Sequence, residues 1–94
     1  MKILLVCAGG YSTSILVKKI EKWVTENDEE IEIDAIGTTA VEERWHDYDV
    51  ILTGPQISYK VEQIEELVEI PVRKISPLDY GVGNVENIIS LAKK

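Results

Sequence analysis

The chain is short of residues that whole classes of proteins depend on. It has a single cysteine, Cys7, so no internal disulfide can form and no C-x-x-C pair is present. An unpaired thiol suits a reducing compartment. Cations are also scarce. Ten Lys and Arg stand against 17 Asp and Glu, a formal net charge of −7. Such a surface repels DNA, RNA and anionic lipid, which argues against nucleic-acid binding. No run approaches the ~20 apolar residues needed to span a membrane. The stretch Ile3–Val6 after Lys2 is too short for the apolar part of a secretory signal. These absences point to a cytoplasmic protein whose contact with any membrane comes through a partner. One histidine, His46, cannot assemble a metal site with one cysteine at the other end of the fold, so no metal and no cofactor is expected.

What remains is ordinary for a folded domain. Ninety-four residues with 45% hydrophobic content make one domain with a single core, spanning 1–94. Acidic residues gather in Glu26–Glu32 and Glu62–Glu69, which read as solvated helix faces. A monomer is the simpler expectation.

Four short apolar segments have strand character: Lys2–Val6, Ile31–Ile36, Val50–Thr53 and Val72–Ile75. The first, third and fourth suit strands covered on both faces, and the second alternates like an edge strand. Between them lie helical patterns. Leu16, Ile20, Trp23 and Val24 mark the first, with Ser12 or Thr13 as its cap. Thr39 with Glu42 has the spacing of a capping box for a short second helix. Ile57, Val61, Ile64 and Val68 form a stripe in the third, and Asn84 caps a fourth whose inner face is Val85, Ile88, Ile89 and Ala92. Strand and helix alternate four times. The expected fold is α/β: a four-stranded parallel sheet in the order 2-1-3-4, with helices on both faces.

In such sheets ligands bind beyond the carboxyl ends of the strands, where the winding reverses. That point is the end of strand 1, and Cys7 stands there. Ala8, Gly9, Gly10, Tyr11, Ser12, Thr13 and Ser14 follow at once. A glycine-containing loop opening into a helix presents backbone N–H groups and partial positive charge, which favour an anion, either a thiolate or a phosphoryl group. Each feature has a plainer reading. A buried cysteine is often a small core hydrophobe. Two glycines also mark ordinary turns, and the hydroxyls can serve as caps alone. His46, in the connection before strand 3, falls at the opposite end of the sheet. Trp23 and Trp45 read as packing residues, and Tyr11, Tyr59 and Tyr80 as core or rim.

The stretch from Ile3 to Ile20 resembles the active-site segment of enzyme IIB of the phosphotransferase sugar-uptake system, lactose/cellobiose (chitobiose) type. Ala35-Ile36-Gly37-Thr38, Asp47 to Gln56, Ile70-Pro71-Val72 and Ser76 to Gly81 resemble the family's later strand ends and loops, so the likeness covers essentially the whole chain. It implies a phosphoryl carrier with the fold of the low-molecular-weight tyrosine phosphatases. Cys7 would take phosphate from a histidine of enzyme IIA and pass it to a disaccharide such as cellobiose, chitobiose or lactose, bound in the membrane permease IIC. Ala8 to Ser14 would cradle the phosphoryl group, and Gly54-Pro55-Gln56 and Asp79-Tyr80-Gly81 would border the site. Tyr11 departs from the family, which often carries Met there.

Three other chemistries compete. The tyrosine phosphatases and related arsenate reductases need Arg six residues after the cysteine, and this chain has Thr13 there. Without a guanidinium the charge of the transition state is poorly neutralised, so a phosphocysteine would persist against water. A later acid, Asp79, is nevertheless present. Redox chemistry lacks a resolving thiol. An inert binding module remains if Cys7 does not react. Alkylation of Cys7 combined with an aryl phosphate assay separates these readings.

Overall fold

A computed structural model describes residues 1–7 and 14–94 in full, and only the backbone of residues 11–13. Four parallel strands form one sheet: β1 (Lys2–Cys7), β2 (Glu32–Gly37), β3 (Val50–Thr53) and β4 (Val72–Lys74). Their order is β2-β1-β3-β4, as the sequence predicts. The helices are α1 (Tyr11–Glu26), α2 (Val41–Arg44), α3 (Val61–Leu67), α4 (Pro77–Val82) and α5 (Val85–Lys93).

The sheet is covered on both faces, and the pleat of β1 shows how. Ile3 and Leu5 belong to one apolar cluster with Leu16, Ile20 and Val24 of α1 and Ile88, Ile89 and Ala92 of α5. Leu4 and Val6 face the other way, into a cluster with Val41 of α2, Ile64 of α3, Ile51 and Ile57. All four β1 residues are fully buried, which is why this strand reads as an unbroken apolar run rather than an alternation. Alternation is confined to the edge strand β2, where Ile33 is buried and Asp34 exposed.

Three expectations need correction. β4 is an edge strand, partly exposed along its length, because Arg73 and Lys74 interrupt its apolar character. No capping box forms at Thr39. The chain leaves β2 through a 3-10 turn over Thr38–Ala40, and neither that turn nor α2 has a side-chain cap. The expected cap of α1 at Ser12 or Thr13 rests on side chains outside the described residues. Pro77–Val82, expected as a loop, is a helix. Ser76 caps it by accepting from the Asp79 N–H at 3.1 Å, and it ends on Gly83 at φ 65°. The third helical stripe is real but composite: Ile57 departs from helical geometry within a 3-10 stretch over Pro55–Lys60, and α3 follows. Asn84 caps α5 as expected, accepting from the Asn87 N–H at 3.2 Å.

The amino end of the sheet is held by polar contacts. The Tyr48 hydroxyl donates to Asp34 Oδ2 at 2.7 Å and accepts from Arg44 Nη2 at 2.9 Å. Burial, then the bond to Asp34, raises the Tyr48 pKa above its ordinary value, against an opposing pull from Arg44. Protonated Tyr48 is therefore favoured by folding. Its contribution is full below pH ~10 and is lost as pH rises through the folded-state value. Tyr48→Phe should cost about 1 kcal/mol at neutral pH. In urea titrations across the alkaline range, the wild type should lose stability more steeply than Tyr48→Phe.

Candidate active site

β1 delivers Cys7 to the carboxyl end of the sheet. Cys7 pairs with Gly37 of β2 and is 3% exposed. Its thiol points toward the Ile36 carbonyl oxygen, 3.9 Å away, a weak S–H contact. It shares the odd-numbered face of β1 with Ile3 and Leu5, under α1 and α5. α1, 16 residues long, starts just beyond the cysteine and has no acidic residue in its first turn. The positive end of its dipole is therefore not offset by a neighbouring carboxylate, which favours an anion near that end.

β3 supplies the second wall. Its ladder with β1 pairs Val6 with Thr53, and the next residue, Gly54, donates its N–H to the Val6 carbonyl at 3.0 Å. That bond brings Gly54 beside Cys7. Gly54 has an ordinary extended backbone, so its missing side chain matters for space rather than for φ. A Cβ there would lie 2.7 Å from Gln56 Oε1, 3.5 Å from Cys7 Cβ and 3.6 Å from Tyr80 Cε2. The thiol-bearing residue, the amide of Gln56 and the ring of Tyr80 thus converge on one point. Pro55 opens the 3-10 stretch that turns Gln56 back over Gly54.

Tyr80 reaches this point from α4. Its ring packs on the cluster beneath α1 and lines a cleft of about 250 Å³ with Ile15, Leu16, Lys19, Gly81 and Gly83. Asp79, its neighbour, is turned elsewhere: its carboxylate accepts from Asn87 Nδ2 at 3.0 Å and ties α4 to α5. Ser14 is exposed on the first turns of α1. Ala8, Gly9 and Gly10, and the side chains of Tyr11, Ser12 and Thr13, lie outside the described residues.

Of the residues singled out in the sequence, the fold brings together Cys7, Gly54, Gln56 and Tyr80. It separates His46, which is exposed before β3 at the other end of the sheet and stacks on Trp45 at 3.9 Å between ring centroids. Lys19, which the sequence offers with Lys18 only as a cation after the loop able to steer an acidic partner, lines this cleft. Its ammonium would sit 2.8 Å from a Cβ on Gly83, at the far side of the Tyr80 cleft. Gly83→Ala would place a side chain at positive φ and against Lys19. It should cost on the order of 1 kcal/mol, read as a lowered midpoint in urea unfolding.

Comparison with known proteins gives consistent results. The model of the family "PTS system, Lactose/Cellobiose specific IIB subunit" matches residues 2–91. An oligo-beta-mannoside-specific EIIB component of Bacillus subtilis is 35% identical over 86 residues, covering 88% of this chain and 84% of that protein. A galactose-specific EIIB component of Lactococcus lactis is 32% identical, covering 97% and 92%. The solution structure of a cellobiose-specific IIB component from Borrelia burgdorferi superposes with a TM-score of 0.83 at 38% identity, covering 99% of this chain and 88% of that one.

Proposed function

Because the chain belongs to the lactose/cellobiose-specific IIB family of the sugar phosphotransferase system, we propose that Cys7 is the residue that carries the phosphoryl group. IIB components are phosphotransferases of sugar uptake that work with IIA and IIC partners, on a fold of the low-molecular-weight phosphatase type. In the proposed relay a phosphohistidine of IIA is the donor and a sugar held by the IIC permease is the acceptor. In the first step the N–P bond breaks, the S–P bond forms, and the thiol proton ends on the imidazole. In the second the S–P bond breaks, a sugar oxygen takes the phosphorus, and the hydroxyl proton ends on sulfur. The domain acts as a single unit in the cytoplasm, most simply as a monomer.

The observation that carries this reading is the position of Cys7. The chain's one thiol ends the central strand, where the winding of the sheet reverses and beside the start of a helix without acidic residues in its first turn. Thr13 at the place of the phosphatases' arginine supports a carrier over a hydrolase, since a thiophosphate without a fixed guanidinium resists water. The acceptor is a β-linked disaccharide such as cellobiose, chitobiose or lactose. The named relatives act on mannosides, galactose and cellobiose, so one kind of domain serves several sugars. Sugar choice then rests chiefly with the permease.

The test is a reconstituted relay from phosphoenolpyruvate to sugar with matching IIA and IIC. Cys7→Ser should keep the unfolding midpoint close to that of the wild type and form no sugar phosphate. Wild-type rates from Cys7→Ser would overturn the assignment.

A further inference from the structure

The site described above has no arginine, yet a transferring phosphoryl group must still be held. Gln56 is placed to do it. Its side chain is exposed, yet it bends back over Gly54, so that its amide oxygen and Cys7 Cβ lie 2.7 and 3.5 Å from the same point. The space it occupies exists only because residue 54 has no Cβ. Among the described residues this amide has no hydrogen-bond partner, and it is free to turn either its oxygen or its NH2 toward the sulfur.

Resting on Cys7 as the carrier, we propose that the Gln56 carboxamide is the side-chain donor that binds the phosphoryl group on Cys7 and in transit to it. A carboxamide fits a relay better than a guanidinium would. It donates hydrogen bonds to phosphoryl oxygens, which holds the group in line for the next acceptor. It adds no charge, so it does little to stabilise the charge that builds when water attacks. Gln56 forms no covalent bond in either step. The 3-10 stretch begun by Pro55 fixes its backbone, and the Tyr80 ring, 3.6 Å from the same point beside Gly54, keeps the pocket from collapsing inward.

The inference is tested by single-turnover phosphorylation from phosphorylated IIA, with the phosphorus-31 resonance of the product recorded for each variant. Gln56→Ala should transfer about tenfold more slowly, as expected for one lost hydrogen bond to a charged group. Gln56→Glu should fall on the order of tenfold further, because its carboxylate meets the phosphoryl dianion. Gly54→Ala leaves Gln56 chemically intact but evicts its amide, and should therefore behave like Gln56→Ala. The phosphorus resonance should move in every variant that retains label. Wild-type rates and an unmoved resonance in Gln56→Ala and Gln56→Glu would overturn the inference. Equal slowing in both with an unmoved resonance would also overturn it, since that marks a docking contact. In either case labelling of wild-type Cys7 leaves the carrier reading standing. A wild type that takes no phosphoryl group on Cys7 removes the carrier reading and this inference with it.

Discussion

β1 is hydrogen-bonded to β2 along one edge and to β3 along the other, and these two ladders position everything at the carboxyl end of the sheet. The first sets Cys7 opposite Gly37, and the second sets Thr53 beside Val6 and so Gly54 beside Cys7. The register cannot slip by one residue without turning Ile3 and Leu5 out of one core and Leu4 and Val6 out of the other. Fully burying an aliphatic side chain is worth roughly 1.5–3 kcal/mol. Four such side chains in β1 therefore hold the cysteine in place far more firmly than any contact the cysteine makes itself.

Stability and chemistry are thus divided between the two ends of the sheet. The amino end carries the polar ties: Tyr48 between Asp34 and Arg44, and Asp49 accepting from the Lys2 N–H at 2.7 Å. The carboxyl end carries a thiol, a helix start, a glycine that leaves space and an amide that fills it. Four of the exposed large hydrophobic residues, Ile15, Tyr59, Leu78 and Val82, sit on elements that follow the carboxyl ends of β1, β3 and β4.

The central strand, the strand order and the place of Cys7 were legible because burial on both faces writes itself as a continuous apolar run. Asn84 was legible because a cap acts within three residues. α4 was not: Pro77-Leu78-Asp79-Tyr80-Gly81-Val82 is too short to show a period and contains a glycine, so its helix depends on the Ser76 cap and on packing of Tyr80 beneath α1. Thr39 and Glu42 had the right spacing for a capping box, but the chain enters α2 through a 3-10 turn, and neither element has a side-chain cap. At the site, Cys7 could be named from its strand end, and Gly54, Gln56 and Tyr80 from the family resemblance. The convergence of Cys7, Gln56 and Tyr80 beside Gly54 could not be read, because it depends on side-chain directions across three segments distant in sequence. The place of Lys19 in the Tyr80 cleft could not be read for the same reason.

The most direct measurement is the location of the phosphoryl group. The protein, incubated with phosphoenolpyruvate, the general phosphotransferase proteins and a matching IIA, is weighed intact and then mapped by peptide mass spectrometry. One phosphoryl group on the peptide holding Cys7 is the expected result. A group on His46 instead, or none when every upstream protein is phosphorylated and a panel of IIA proteins has been tried, would contradict Cys7 as the carrier.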